Sequence, residues 1–173
     1  MRLIPIAAGV AACLCAAFAA AAPLNYTGTW TLDKAASQSL PAQFAAVERQ
    51  QLVTYQDSNT LKVSSVSNAG GKVLSETVQY ATNGSDTEYE ALNRNRLGWA
   101  RWAPAHAQMA FDEQGRAHLG TAVNTTFFGA PVRRTMQETW QLSPDGSTLT
   151  IQAQVAGHDA TLVYHRDTSV AAR

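Results

Sequence analysis

The chain has 173 residues, and its 13 Lys+Arg balance its 13 Asp+Glu to a formal net charge of zero. That neutrality gives no electrostatic reason to expect nucleic acid or an anionic membrane surface as a partner. With 46 % apolar and only 15 % charged residues, the chain is no charge-rich disordered tail, and its length suits a single domain.

The apolar excess is concentrated at the start. Arg2 is the only charge before Asp33, and Leu3–Ala22 reads LIPIAAGVAACLCAAFAAAA. A basic residue, an apolar run and small residues ahead of Pro23 predict a secretory signal peptide over 1–22, leaving 23–173 as one domain. Cleavage fits A-x-A triplets ending between Ala19 and Ala22; proline directly after the scissile bond is disfavoured, which favours Ala19 to Ala21. The segment is also long enough to be kept as an anchor. A third reading uses Val10-Ala11-Ala12-Cys13, which resembles a bacterial lipobox and would make Cys13 a lipid anchor. Cys13 and Cys15 are the only two cysteines. Removal of the leader therefore gives an exported, periplasmic or secreted protein that must fold without disulfides. It also lowers the apolar fraction to about 40 % and leaves a charge of −1.

Next come short alternating segments separated by turn residues. Strands are expected over Gly28–Leu32, Gln51–Gln56, Leu61–Val66, Val73–Tyr80, Asp86–Leu92, Leu97–Trp102, Gln108–Phe111, His118–Phe128, Val132–Leu142, Thr148–Val155 and Ala160–Arg166. Asp57-Ser58-Asn59, Asn68-Ala69-Gly70-Gly71, Asn83-Gly84, Asp112–Gly115, Gly129-Ala130-Pro131, Ser143–Gly146 and Ala156–Asp159 punctuate them with residues that favour turns. About ten strands near a twelve-residue spacing predict an all-β, antiparallel up-and-down barrel of 8–10 strands. Lys34–Gln50 breaks the pattern. Its helix formers, with Ser39 as cap and Pro41 in the first turn, predict a short helix or an irregular crossing that covers one barrel end.

Alternation assigns faces. On Val132–Leu142, the inner face carries Val132, Arg134, Met136, Glu138, Trp140 and Leu142. An inward charge needs a partner or water. Arg134, Met136, Glu138 and Trp140 are therefore the candidate ligand-binding residues, with the alternative that both charges sit solvated near the barrel mouths. Leu149, Ile151, Ala153 and Val155 point inward on the next strand; Trp30 shares a face with Leu32, as does Met109 with Phe111. The interior is short of Leu, Ile and Val for a filled core, which suggests space for a small ligand.

Gly28-Thr29-Trp30 on the first strand resembles the G-x-W signature of lipocalin-like (calycin-type) barrels. In that family the Trp packs across one barrel end under an Arg of the last strand, for which Arg166 is the matching candidate. The opening GTWTLDKAAS and the late ETWQLSPDGSTLTI hairpin are similar to a group of small secreted bacterial lipocalin-like proteins. The resemblance implies a barrel and an apolar ligand, and no catalytic residue. The chain departs from lipocalins in ending shortly after its last strand, where they usually place a helix.

No G-x-S-x-G elbow, P-loop, H-E-x-x-H or G-x-G-x-x-G occurs, and His106, His118, His158 and His165 lack metal-ligand spacing. His118 and His165 fall on strands, where an inward imidazole could serve a haem, although the plainer reading is outward. Arg94–Trp102 (RNRLGWARW) is the most basic and aromatic stretch, expected as a strand whose Trp residues pack and whose Arg residues are solvated, with an exposed contact patch as the alternative. The leading expectation is a secreted, non-enzymatic barrel that binds a small apolar or amphipathic ligand, without a cofactor or metal. The alternatives are an envelope interaction or inhibitor module acting through loops around a filled barrel, and an enzyme using Arg134 and Glu138.

Overall fold

A computed structural model describes residues 24–40, 44, 47–94, 100–127, 130–155 and 157–168. The expected leader, with Cys13 and Cys15, lies outside the described residues. Ten strands follow: β1 (Gly28–Gln38), β2 (Arg49–Gln56), β3 (Thr60–Ala69), β4 (Lys72–Ala81), β5 (Thr87–Arg94), β6 (Ala100–Phe111), β7 (Ala117–Phe127), β8 (Ala130–Leu142), β9 (Thr148–Val155) and β10 (His158–Arg166). Chain neighbours pair antiparallel except β4 and β5, and β10 returns to pair with β1. The sheet order is β4-β3-β2-β1-β10-β9-β8-β7-β6-β5. Its two ends, β4 and β5, approach each other without a ladder. This is the expected up-and-down barrel, nearly closed.

Closure follows from the local chemistry. Period-two alternation gives each strand one face to bury, and short links force antiparallel neighbours. At β3–β4 the link is Gly70-Gly71, both with positive φ (56° and 72°). Two such residues make the primed turn whose twist matches the flanking strands, and glycine adopts it without a Cβ clash.

Three sequence expectations change in detail. Leu97–Trp102 and Gln108–Phe111 belong to one strand: β6 runs through Ala103–Ala107 from Ala100 to Phe111, while 95–99 lie outside the described residues. Pro104 is tolerated because the ladder with β7 begins only at Ala105. β1 extends past Leu32 to Gln38, so Lys34–Gln38 is not helical. It bulges instead: Asp33 pairs with Val163, but Gln38 pairs with Thr161. The Asp33 carboxylate accepts the N–H groups of Ala35 (2.9 Å) and Ala36 (3.0 Å), and the Val163 N–H donates to Ser37 Oγ (2.9 Å). Finally, Arg49 and Gln50 lie on β2. Of the remaining segment, Phe44 has helical backbone, and Leu40, Phe44 and buried Val47 are described. Leu40 and Phe44 pack against the core.

The core sits toward the end where β1 begins and β10 finishes. Tyr26, Trp30, Leu52, Leu61, Met109, Leu119, Trp140, Leu149, Ile151 and Tyr164 are buried there in one cluster. Trp30 is fully buried, and its indole N–H lies 3.1 Å from Thr54 Oγ1 and 3.2 Å from the Tyr26 carbonyl. The Arg166 guanidinium stacks on the Trp30 ring at 4.1 Å and donates to the carbonyls of Thr27 (2.7 Å) and Gly146 (2.8 Å). A Cβ on Gly28 would fall 2.5 Å from Arg166 Nη1, so the small residue keeps this stack in place. Tyr26 completes the cap. Its hydroxyl donates to the Trp140 carbonyl (2.9 Å) and accepts the Ala117 N–H (3.1 Å), and its ring meets Trp140 edge-on at 5.9 Å.

Candidate functional site

Beyond this capped end the interior changes character. On β8 the inner positions run from buried Trp140 through partly accessible Glu138 and Met136 to exposed Arg134. The alternation that predicted them holds, so the four candidates share one face but not one environment. Trp140 belongs to the core. Arg134 stands at the opposite, open end. Glu138 lies between them.

Glu138 is the unusual residue. Its register partners are Leu119 on β7 and Ala153 on β9, both apolar and inward. One carboxylate oxygen, Oε2, accepts the Trp140 indole N–H at 2.7 Å. The residue is half-buried on the inner face of β8. Burial pushes its carboxyl pKa up, with the Trp140 hydrogen bond opposing, because a low-dielectric site penalises the charged form.

Tyrosines from three other strands lie within the electrostatic reach of Glu138. Tyr80 on β4 and Tyr164 on β10 are buried, and Tyr89 on β5 is hydrogen-bonded to Thr121 on β7. Burial raises the Tyr80 and Tyr164 pKa values far above the usual phenol range and that of Tyr89 to about 12, and the charge of Glu138 adds to all three. These phenols stay neutral and serve as hydrogen-bonding groups. Glu76 shares the inner face of β4 with Tyr80 and adds to the rise at Tyr89. Gln50, on the inner face of β2, is 8 % exposed and its Oε1 has no hydrogen-bond partner among the described residues.

Sequence reasoning did not single out Tyr80, Tyr89, Thr121, Glu76 or Gln50. The signal for two of them was present: Leu74, Glu76, Val78 and Tyr80 alternate on β4 as Met136, Glu138 and Trp140 do on β8. Gln50 was hidden because its segment read as helical.

The fold is a calycin-type β-barrel. Among solved structures, the chain is similar to fluorescent protein UnaG (TM-score 0.51, 12 % identity, covering 82 % of this chain and 97 % of that one). It is also similar to an asparagine-to-alanine variant of UnaG (TM-score 0.51, 14 % identity, covering 83 % and 96 %). At such identity the likeness concerns the fold alone. No protein-family model and no curated protein matches the chain.

The outer wall of the calycin barrel carries the histidines. His118 is exposed, 3.0 Å from Asp112 and 3.1 Å from Thr139; His165 is exposed, 3.2 Å from Asp33. Neither points inward, which removes the reading of an axial haem ligand. His106 meets Asp86 at 2.7 Å at the edge of an open groove of about 380 Å³ across β6–β8. Asn124, Arg133 and Gln137 line it, and small Gly120 and Ala122 leave room between them. Of the Arg94–Trp102 stretch, Trp102 is described as an exposed side chain on the outer face of β6, at 56 % exposure. Among the described residues no cluster of His, Cys, Asp and Glu could hold a metal, and no helix is long and apolar enough to cross a membrane.

Proposed function

We propose that this barrel binds a small amphipathic molecule in its interior, reached from the end opposite Trp30. The carrying observation is Glu138, a half-buried carboxyl on the inner face of β8 between Leu119 and Ala153. A barrel evolved only to be filled gains nothing from burying this group, since an apolar residue of similar size would be at least as stable. Binding sites, in contrast, combine apolar walls with a few inward polar groups. Tyr80, Tyr89 and Thr121 supply further groups of that kind, and Met136 an adaptable wall.

The leader sequence supports export, with action in the periplasm or outside the cell. A lipid anchor at Cys13 is the alternative, and N-terminal sequencing of the protein from its own envelope separates the two. A second reading, a module that contacts another envelope protein through its surface, draws on exposed Trp102 and the outer groove.

Native mass spectrometry of the protein from its own source, combined with a thermal-shift panel of fatty acids, sterols, quinones and amines, tests the cavity reading. A bound mass or a saturable shift is expected. A homogeneous apo mass together with a flat panel would sink it.

A further inference from the structure

The interior also states which kind of polar head it prefers. Glu138 has two acceptor oxygens, and among the described residues Trp140 supplies one N–H, to Oε2. Its cross-strand neighbours, Leu119 and Ala153, offer nothing. Besides Gln50, Thr54 and Thr121, the buried polar groups include the hydroxyls of Tyr80 and Tyr164; no buried lysine, arginine or histidine stands beside Glu138 among the described residues. Arg134 is exposed and Arg166 is committed to Trp30. Gln50 Oε1 is a second acceptor that lacks a donor among the described residues, on β2, four strands from β8 in the sheet order.

A half-buried carboxyl with no cation beside it disfavours a carboxylate ligand and favours a positively charged donor, whereas neutral tyrosine hydroxyls favour neither. A carboxylate head beside Glu138 places like charges in low dielectric, where at least one must take up a proton. An ammonium or N–H-bearing head instead gives Glu138 a charge-assisted partner, the strong class of hydrogen bond. Resting on the cavity reading above, we infer that the ligand is a hydrogen-bond-donating amphiphile, an amine or N–H compound with an apolar body, held through Glu138 with Gln50 as a second acceptor. It is not a fatty-acid anion.

The experiment compares three probes of equal chain length, dodecylamine, dodecanol and dodecanoic acid, by calorimetric titration at neutral pH below micelle-forming concentrations. The amine should bind at one site about tenfold or more tighter than the acid, with the alcohol between, since a buried charge-matched contact is worth at least that factor. Glu138→Gln preserves shape and an acceptor for Trp140; it should erase the amine's advantage while alcohol binding stays. Gln50→Leu should weaken the amine less. If the acid binds as tightly as the amine, or if Glu138→Gln leaves the preference intact, the inference falls while the cavity stands. If no probe binds, both fall. The unmodified protein decides the order of the three probes, so a folding defect in a variant does not obscure the result.

Discussion

The two halves of the barrel treat carboxylates in opposite ways. At the capped end, three hairpin turns each carry an aspartate that the chain rewards for being charged. Asp57 accepts the N–H groups of Asn59 and Thr60, Asp145 binds Ser143 and Ser147, and Asp112 binds Arg116 and His118. These hydrogen bonds hold all three pKa values low, that of Asp145 at about 2; at Asp112 they outweigh the opposing effect of desolvation. In the interior, Glu138 is pushed the other way by burial. Donors placed for folding make the capped end a frame. An acceptor left short of donors marks the space beyond it as a site, and stability is given up there.

Core truncation should show this contrast most strongly. Trp30→Ala should cost about 3–5 kcal/mol by denaturant unfolding, whereas Ser65→Ala, on the thinly buried inner face of β3, should stay within about 0.5 kcal/mol. Equal losses would mean that the halves are packed alike.

Removing one oxygen at the cap is next in size. Tyr26→Phe strands the buried Ala117 N–H and the Trp140 carbonyl, so it should cost about 1–3 kcal/mol.

Volume added to each half sharpens the comparison. Ala117→Leu, fully buried beside Trp140, should overpack and destabilise by about 1–3 kcal/mol. Val123→Phe, on the partly accessible inner face of β7, should leave the unfolding midpoint nearly unchanged and weaken ligand binding. A midpoint drop equal to that of Ala117→Leu would show that no space exists there.

The smallest effect is the pH response. A carboxyl with a lowered folded pKa stabilises above its unfolded value and loses that contribution as pH falls through the folded one. Asp57, Asp112 and Asp145 should therefore support the fold at neutral pH and release it in acid, down to about pH 2 for Asp145. Glu138 has a raised folded pKa, so its charging opposes folding at neutral pH, and the penalty lifts as pH falls. Glu138→Gln should melt a few degrees above wild type at neutral pH. The gap should close below the ordinary glutamate value of 4.5, where the carboxyl is protonated in both states. A gap that widened in acid would contradict this assignment.

Much of this frame was legible residue by residue. Thr148–Val155 was read with its observed ends, and Gly28, Trp30 and Arg166 were read as a cap before any contact was known. The strand was legible because alternation and turn chemistry act over a few residues, whereas the cap was implied by the resemblance to lipocalin-like barrels. The site was legible only on β8, where Glu138 interrupts an apolar face. The alternation of β4 placed Tyr80 inward beside Glu76, but an inward tyrosine such as Tyr80 or Tyr89 reads as ordinary core. Gln50 was obscured by neighbours with helical propensity, which the pairing of β2 with β1 and β3 overrides.

The sequence by itself determined the strand faces, the turns and the placing of Arg134 and Glu138 on an inward surface. Each depends on period-two geometry and on residues close in the chain. Tertiary structure alone decided that Arg134 emerges at the rim while Glu138 stays half-buried, and that strands distant in sequence bring tyrosines within electrostatic reach of one carboxyl. Barrel closure sets those distances, and burial and the electrostatic field depend on them rather than on position along the chain.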